Sequence, residues 1–303
     1  MTLHSEELRQ LLNEKVGNCG VEEGLDAPCD VAYVIFLEPP TTKDPRLSLG
    51  EMIIDGAVRS FQPEPALTHC ELLLPPVPLA EGDRTQFATY LGKKSSWQTD
   101  RQDGFGFYLL DHGSRWRAVP VFSSNAASRL REEADMELGV EYSLSRYLTS
   151  TRAFRWFSGW VSERRRSPAH CANLTARVLK NGLRGSFETT HNSNFYGPSS
   201  LYIELCTRAK KSAVAMGADK EPKISDCVSS NIDVLLRAPM TAATVQKAGD
   251  AACLTAVRAL TMRALGALAN DDDNFQRLTQ QQLATALLRW VLLREQDGSP
   301  VFV

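Results

Sequence analysis

The sequence predicts an α+β protein: an antiparallel sheet with packed helices, followed by a helical C-terminal region. Up to about residue 122, short apolar runs rich in β-branched and aromatic residues alternate with Gly, Pro and Asp. Beyond residue 124 the apolar spacing changes to the helical period and stays there. Strand text therefore precedes helix text, the order expected of segregated layers rather than of alternating βαβ units.

Element by element, Ser5–Val16 spaces Leu8, Leu11, Leu12 and Val16 at helical intervals and predicts a short amphipathic arm. Val31–Leu37, Met52–Val58 and Leu67–Leu74 read as strands, the last stopped by Pro75 and Pro76. Phe87–Leu91, Phe105–Leu110 and Trp116–Phe122 follow as further strands. Ser124–Leu138 predicts a helix that Gly139 stops, and Ser167–Leu179 a second, with Ser167 as its cap and Pro168 at its first position. A Lys-rich connector to Lys223 leads to helices around Ala242–Leu268 and Gln280–Arg294, the latter with a capping-box-like start at Thr279. The expected organisation is an N-terminal arm over 1–29, a main domain over 30–209 and a helical region over 210–303. Asp271, Asp272 and Asp273 read as a helix cap or link.

With 43 % hydrophobic and 23 % charged residues, the 303-residue chain has the composition of a folded domain rather than of a disordered one. A formal net charge of −2 lacks the basic footprint that nucleic-acid binding requires. The seven cysteines are scattered and form no C-x-x-C pair, which argues against a disulfide framework or a zinc ribbon and for a reducing, cytoplasmic setting. The opening residues lack the basic start and apolar block of a signal peptide, and no apolar run approaches the ~18 residues of a membrane span. No cofactor motif emerges: Gly104-Phe-Gly106 reads as a turn or packing point. The His69-Cys70 and His170-Cys171 dipeptides are poor zinc chelators, because strand neighbours face opposite sides. Arg152 to Arg166, interleaved with Phe154, Trp156, Phe157 and Trp160, reads as a solvated loop, with an acidic ligand, RNA or a membrane surface as the alternative.

Two segments carry chemistry. On the Leu67–Leu74 strand, alternation places His69 and Glu71 on one face and Thr68, Cys70 and Leu72 on the other. A carboxylate two residues from a histidine is placed to fix its tautomer and stabilise its charged ring, while Cys70 points away and reads as core. In the second segment, Cys171 falls in the first turn of a helix, near the positive end of its dipole and close in sequence to Arg164, Arg165 and Arg166, all of which favour the thiolate. Cys171, Leu174, Val178 and Leu179 also share the inner face of that helix. Packing by this face brings the thiol against the histidine-bearing strand, on the side away from Cys70.

A strand with Thr-His-x-Glu-Leu, further strands, a helix, Leu138-Gly-Val-Glu-Tyr-Ser143, and then Cys171-Ala-Asn-Leu-Thr175 at a helix start resembles circularly permuted NlpC-type papain-like proteins. The likeness covers roughly residues 30–205 and closes at Tyr196-Gly-Pro-Ser-Ser-Leu201. It implies Cys171 as nucleophile, His69 as general base and Glu71 as orienter, with Tyr142 near the site and His170 in the place before the cysteine. The implied activity is a cysteine hydrolase or acyltransferase acting on an amide or ester of an acyl substrate. The alternative is a non-catalytic structural protein, a component of a virus particle or large complex, that keeps the scaffold and binds a protein partner through its C-terminal helices.

Overall fold

The computed structural model describes residues 31–39, 56, 63–75, 85–89, 94–97, 115–122, 126–150, 164–184, 187, 192–215, 226–237, 250–270 and 272–295. These residues form five strands: β1 (Val31–Leu37), β2 (His69–Leu73), β3 (Gln86–Ala88), β4 (Ser96–Trp97) and β5 (Trp116–Phe122). They pair antiparallel in the order β4-β3-β2-β1-β5. Seven helices accompany the sheet: α1 (Ala126–Met136), α2 (Leu144–Thr149), α3 (Cys171–Gly182), α4 (Pro198–Ala215), α5 (Asp226–Arg237), α6 (Asp250–Ala269) and α7 (Asp273–Glu295).

The unbroken apolar run of β1 explains its central position. All seven of its residues are buried, because helices cover both faces of the sheet. Ala32, Val34 and Phe36 join Cys70, Leu72, Phe87 and Val119 in one cluster with α1, α3 and α4. Val31, Tyr33, Ile35 and Leu37 join Leu73, Trp116 and Ala118 in a second cluster with α5, α6 and α7. Registers place Leu37 opposite both His69 and Trp116, so the last residue of β1 and the first residues of β2 and β5 meet at one end of the sheet. The candidate site lies at this end.

Several elements differ from expectation. The arm over 5–16, the Phe105–Leu110 strand and Val301–Val303 lie outside the described residues, as does Met52–Val58 apart from Gly56, which is helical. The expected cap Ser167 turns back onto its own loop, its hydroxyl donating to the Arg164 carbonyl at 2.8 Å, and α3 begins only at Cys171 with His170 as N-cap. Thr279 is not a helix start. It lies inside α7, bonding back to the Phe275 carbonyl at 2.9 Å, while Asp272 caps the helix by accepting from the Phe275 N–H at 3.0 Å. Gly139 does end its helical segment, adopting φ +79°, a conformation that glycine enters without Cβ strain. α4 continues through Ala215, so the first residues of the expected connector are helical.

The C-terminal helices cover the sheet rather than stand apart from it. Beyond their apolar contacts they are tied by Glu38, at the end of β1. Its carboxylate accepts from Arg277 of α7 at 2.6 and 3.0 Å and from Arg117 of β5. The Tyr33 hydroxyl bonds Thr261 of α6 at 3.0 Å, and Tyr202 of α4 donates to Gln280 of α7 at 2.6 Å. One helical stretch among the described residues, Ala252–Ala269, is long and apolar enough by length and composition to cross a membrane, although Arg258 and Arg263 interrupt it. In the fold it is a core helix, 67 % buried against its neighbours.

A chain ending at residue 215 uncovers the face formed by Val31, Tyr33, Ile35, Leu37 and Trp116, and is expected to aggregate or to lose its cooperative thermal transition. Within the full chain, Leu260→Ala, at a fully buried site on α6, is expected to cost about 2–5 kcal/mol in urea unfolding. An unchanged midpoint for both proteins contradicts this packing.

Candidate active site

His69 opens β2, and its ring sits where the sheet ends. Nε2 lies 2.9 Å from Glu71 Oε1, the contact that same-face alternation predicts. The second carboxylate oxygen of Glu71 accepts from the Gln86 side-chain amide across the β2–β3 pair. Glu71 is fully shielded from solvent, so both contacts are made in a low-dielectric setting where they orient strongly. The Trp116 ring stands edge-on to the His69 ring, with centroids 6.2 Å apart.

Cys171 is the first residue of α3. The chain arrives there through a loop held by Arg177, six residues further along the same helix. The Arg177 guanidinium donates to the Arg164 and Ser167 carbonyls at 3.2–3.3 Å and to the Ser167 hydroxyl at 3.0 Å. It also pairs with Glu137 at 2.8 Å. The two side chains are 2 % and 0 % exposed. Removing one partner of such a buried pair costs about 3–5 kcal/mol, so the loop's position is strongly held. Arg166 adopts a left-handed φ of 58°, with its N–H bonded to Glu137 at 3.0 Å. His170 then caps the helix, Nδ1 accepting from the Ala172 N–H at 3.3 Å.

The helix packs on the Cys70 face of the sheet, and this corrects the expected geometry. Cys70 lies beside Cys171, its thiol donating to Thr175, one turn along α3, at 3.8 Å. The thiol nevertheless reaches His69, because His69 is the first residue of its strand and both groups sit at the same sheet end. Cys171 therefore touches Cys70, His69 and His170 together.

These contacts set the charges. Burial pushes the Cys171 thiol up, but the neighbouring Cys70 thiol, the charged His69 ring and the adjacent His170 hold it well below the ordinary thiol range. Burial opposes a charged His69 ring, yet the Cys171 thiolate and Glu71 outweigh it and raise the ring to about 9. Burial and the neighbouring Cys171 push the Cys70 thiol well up. These shifts favour a Cys171 thiolate paired with a His69 imidazolium, beside a Cys70 that keeps its proton. The arginines before the helix contribute little: Arg165 pairs with Glu133 at 2.8 Å and Arg166 donates to the Leu138 carbonyl.

No protein-family model, curated protein or solved structure matches the chain. The assignment of roles therefore rests on the geometry. The structure brings together Cys171, His69, Glu71 and His170. Tyr142 joins Ala169, two residues before Cys171, by a backbone bridge and stands half-exposed. A second tyrosine, Tyr147, packs at the site, its ring 5.3 Å from that of His170 and its hydroxyl donating to the Thr68 carbonyl at 3.3 Å. Sequence reasoning missed Tyr147, Gln86 and the closeness of Cys70. The helical spacing of Ser143 and Tyr147 could have pointed to the first; strand pairing, needed for the second, is not readable from one segment. A pocket of about 210 Å³ lined by Pro120, Phe122, Leu183 and Phe187 lies at the opposite ends of β5 and α3, away from Cys171.

Glu71→Gln removes the carboxylate from His69 while keeping its size. The His69 pKa, read by NMR titration, is expected to fall from about 9, and Cys171 alkylation at neutral pH is expected to slow with it. An unchanged His69 titration contradicts the orienting role of Glu71.

Proposed function

We propose that the chain is a cysteine hydrolase or acyltransferase on a permuted papain-like scaffold, acting on an amide or ester. The observation that carries this reading is the hydrogen-bonded series His69, Glu71 and Gln86 set beside Cys171 at the head of α3. The Cys171 thiolate attacks the carbonyl carbon, and the His69 imidazolium gives its proton to the departing amine or alcohol. Neutral His69 then draws a proton from water, or from another acceptor, as it attacks the thioester and frees Cys171. With Nε2 engaged by Glu71, Nδ1 is the nitrogen left for these transfers. Glu71 keeps the ring aligned and stabilises its charge. A histidine strand preceding the cysteine helix in the chain agrees with the permuted order.

The alternative, a non-catalytic assembly protein, draws on the 2 % exposure of Cys171. Its expected partner surface, the C-terminal helices, is largely turned inward onto the sheet, which favours the catalytic reading. Free thiols at Cys70, Cys171, Cys206 and Cys253 suit a reducing compartment.

Treatment with p-nitrophenyl acetate tests this. The expected result is a stoichiometric burst of nitrophenolate with the acetyl group on Cys171 by peptide mass mapping. His69→Ala is expected to slow acylation by about 10²–10⁴-fold with an unchanged fold by circular dichroism. With an amide substrate, acylation uses the His69 proton, so the single-turnover acylation rate is expected to decline as pH rises through about 9. Acetylation spread over the other cysteines, or unaffected by His69→Ala, contradicts the proposal.

A further inference from the structure

The second thiol beside Cys171 takes no covalent part in acyl transfer. Cys70 is fully buried and Cys171 is 2 % exposed, and both belong to one core cluster. On α3, Cys171 and Thr175 are four residues apart and share a face. Cys70 lies beside both, its sulfur 3.8 Å from the Thr175 hydroxyl and next to Cys171. The other described free cysteines are placed differently. Cys206 bonds the Gln280 and Gln276 amides at 3.6 and 3.9 Å, and Cys253 lies in the other core cluster.

We propose that Cys70 and Cys171 form a peroxide-responsive thiol pair, in which oxidation of Cys171 is resolved by Cys70 to a reversible disulfide that removes the nucleophile. In the first step the Cys171 thiolate attacks one oxygen of hydrogen peroxide. The O–O bond breaks, Cys171 becomes a sulfenic acid, and the departing hydroxide takes the His69 proton to leave as water. In the second, the Cys70 sulfur attacks the Cys171 sulfur. The S–O bond breaks, and the hydroxyl leaves with the Cys70 proton as a second water. Two thiols are thereby oxidised by two electrons while one peroxide is reduced to two waters. The roles follow from the charges: the thiol held as thiolate is the one that attacks peroxide, and Cys70 becomes the resolving sulfur only as its proton passes to the departing hydroxyl. Hydrogen peroxide is neutral and nearly as small as water, so it reaches a sulfur that is 2 % exposed. Resolution by Cys70 also shields Cys171 from further, irreversible oxidation. The pair requires only the two sulfurs and His69, so it stands apart from the hydrolase reading.

The full-length reduced protein is treated with hydrogen peroxide, quenched with iodoacetamide, digested without reductant and mass-mapped. The expected result is a crosslink between the Cys70 and Cys171 peptides, with loss of two of the seven alkylatable thiols and their recovery after dithiothreitol. In Cys70→Val, and independently in Cys70→Ser, dimedone is expected to trap Cys171 as sulfenic acid, an adduct wild type lacks. A wild-type protein that accumulates the dimedone adduct on Cys171 with Cys70 still alkylatable overturns the proposal. So does a disulfide joining other cysteines. The wild-type arm needs no variant to fold, and the ester-acylation result does not bear on it.

Discussion

The contact between the first turn of α3 and the first two residues of β2 is the constraint on which the site depends. A helix laid on a sheet by its inner face presents its N-terminus to whatever the strand carries at that end. Here the strand opens with His69 and Cys70, one on each face, and the helix opens with Cys171. The thiol meets both because the sheet stops there. One step into the strand, alternation would let the helix see one face only.

Holding that contact in place takes more than the core. Arg177 and Glu137, buried together, fasten the loop that delivers Cys171, and His170 satisfies the first free N–H of the helix. Gln86 holds Glu71, and Glu71 holds His69. The sheet under these groups is buried on both faces, its second face covered by α5, α6 and α7. The C-terminal helices therefore stabilise the platform from the side opposite to α3, and Glu38 couples their far end to the same sheet end through Arg277.

Much of this was legible in the residues. The β1 run was readable in extent because seven successive apolar residues admit only a buried strand or part of a longer helix, and the flanks exclude the helix. The His69–Glu71 contact followed from alternation alone. What escaped were features set by partners distant in sequence. Ser167 and Pro168 carry the text of a helix start, but Arg177 draws Ser167 into the loop and moves the cap to His170. Thr279 resembles a cap, yet Asp272 starts the helix earlier and leaves Thr279 inside. The face of the strand that α3 covers depends on how helix and sheet meet, and no periodicity within either segment encodes it. Hence Cys70 was readable as core while its position beside Cys171 was not.

The charge state of Cys171 tests the account most directly, since attack on a carbonyl, attack on peroxide and the raised His69 all require the thiolate. Its titration is followed by the ultraviolet thiolate absorbance of wild type minus that of Cys171→Ala. The account predicts a difference signal already present at neutral pH, titrating well below the ordinary thiol range of about 8.5. A difference that develops only at or above that value would contradict it.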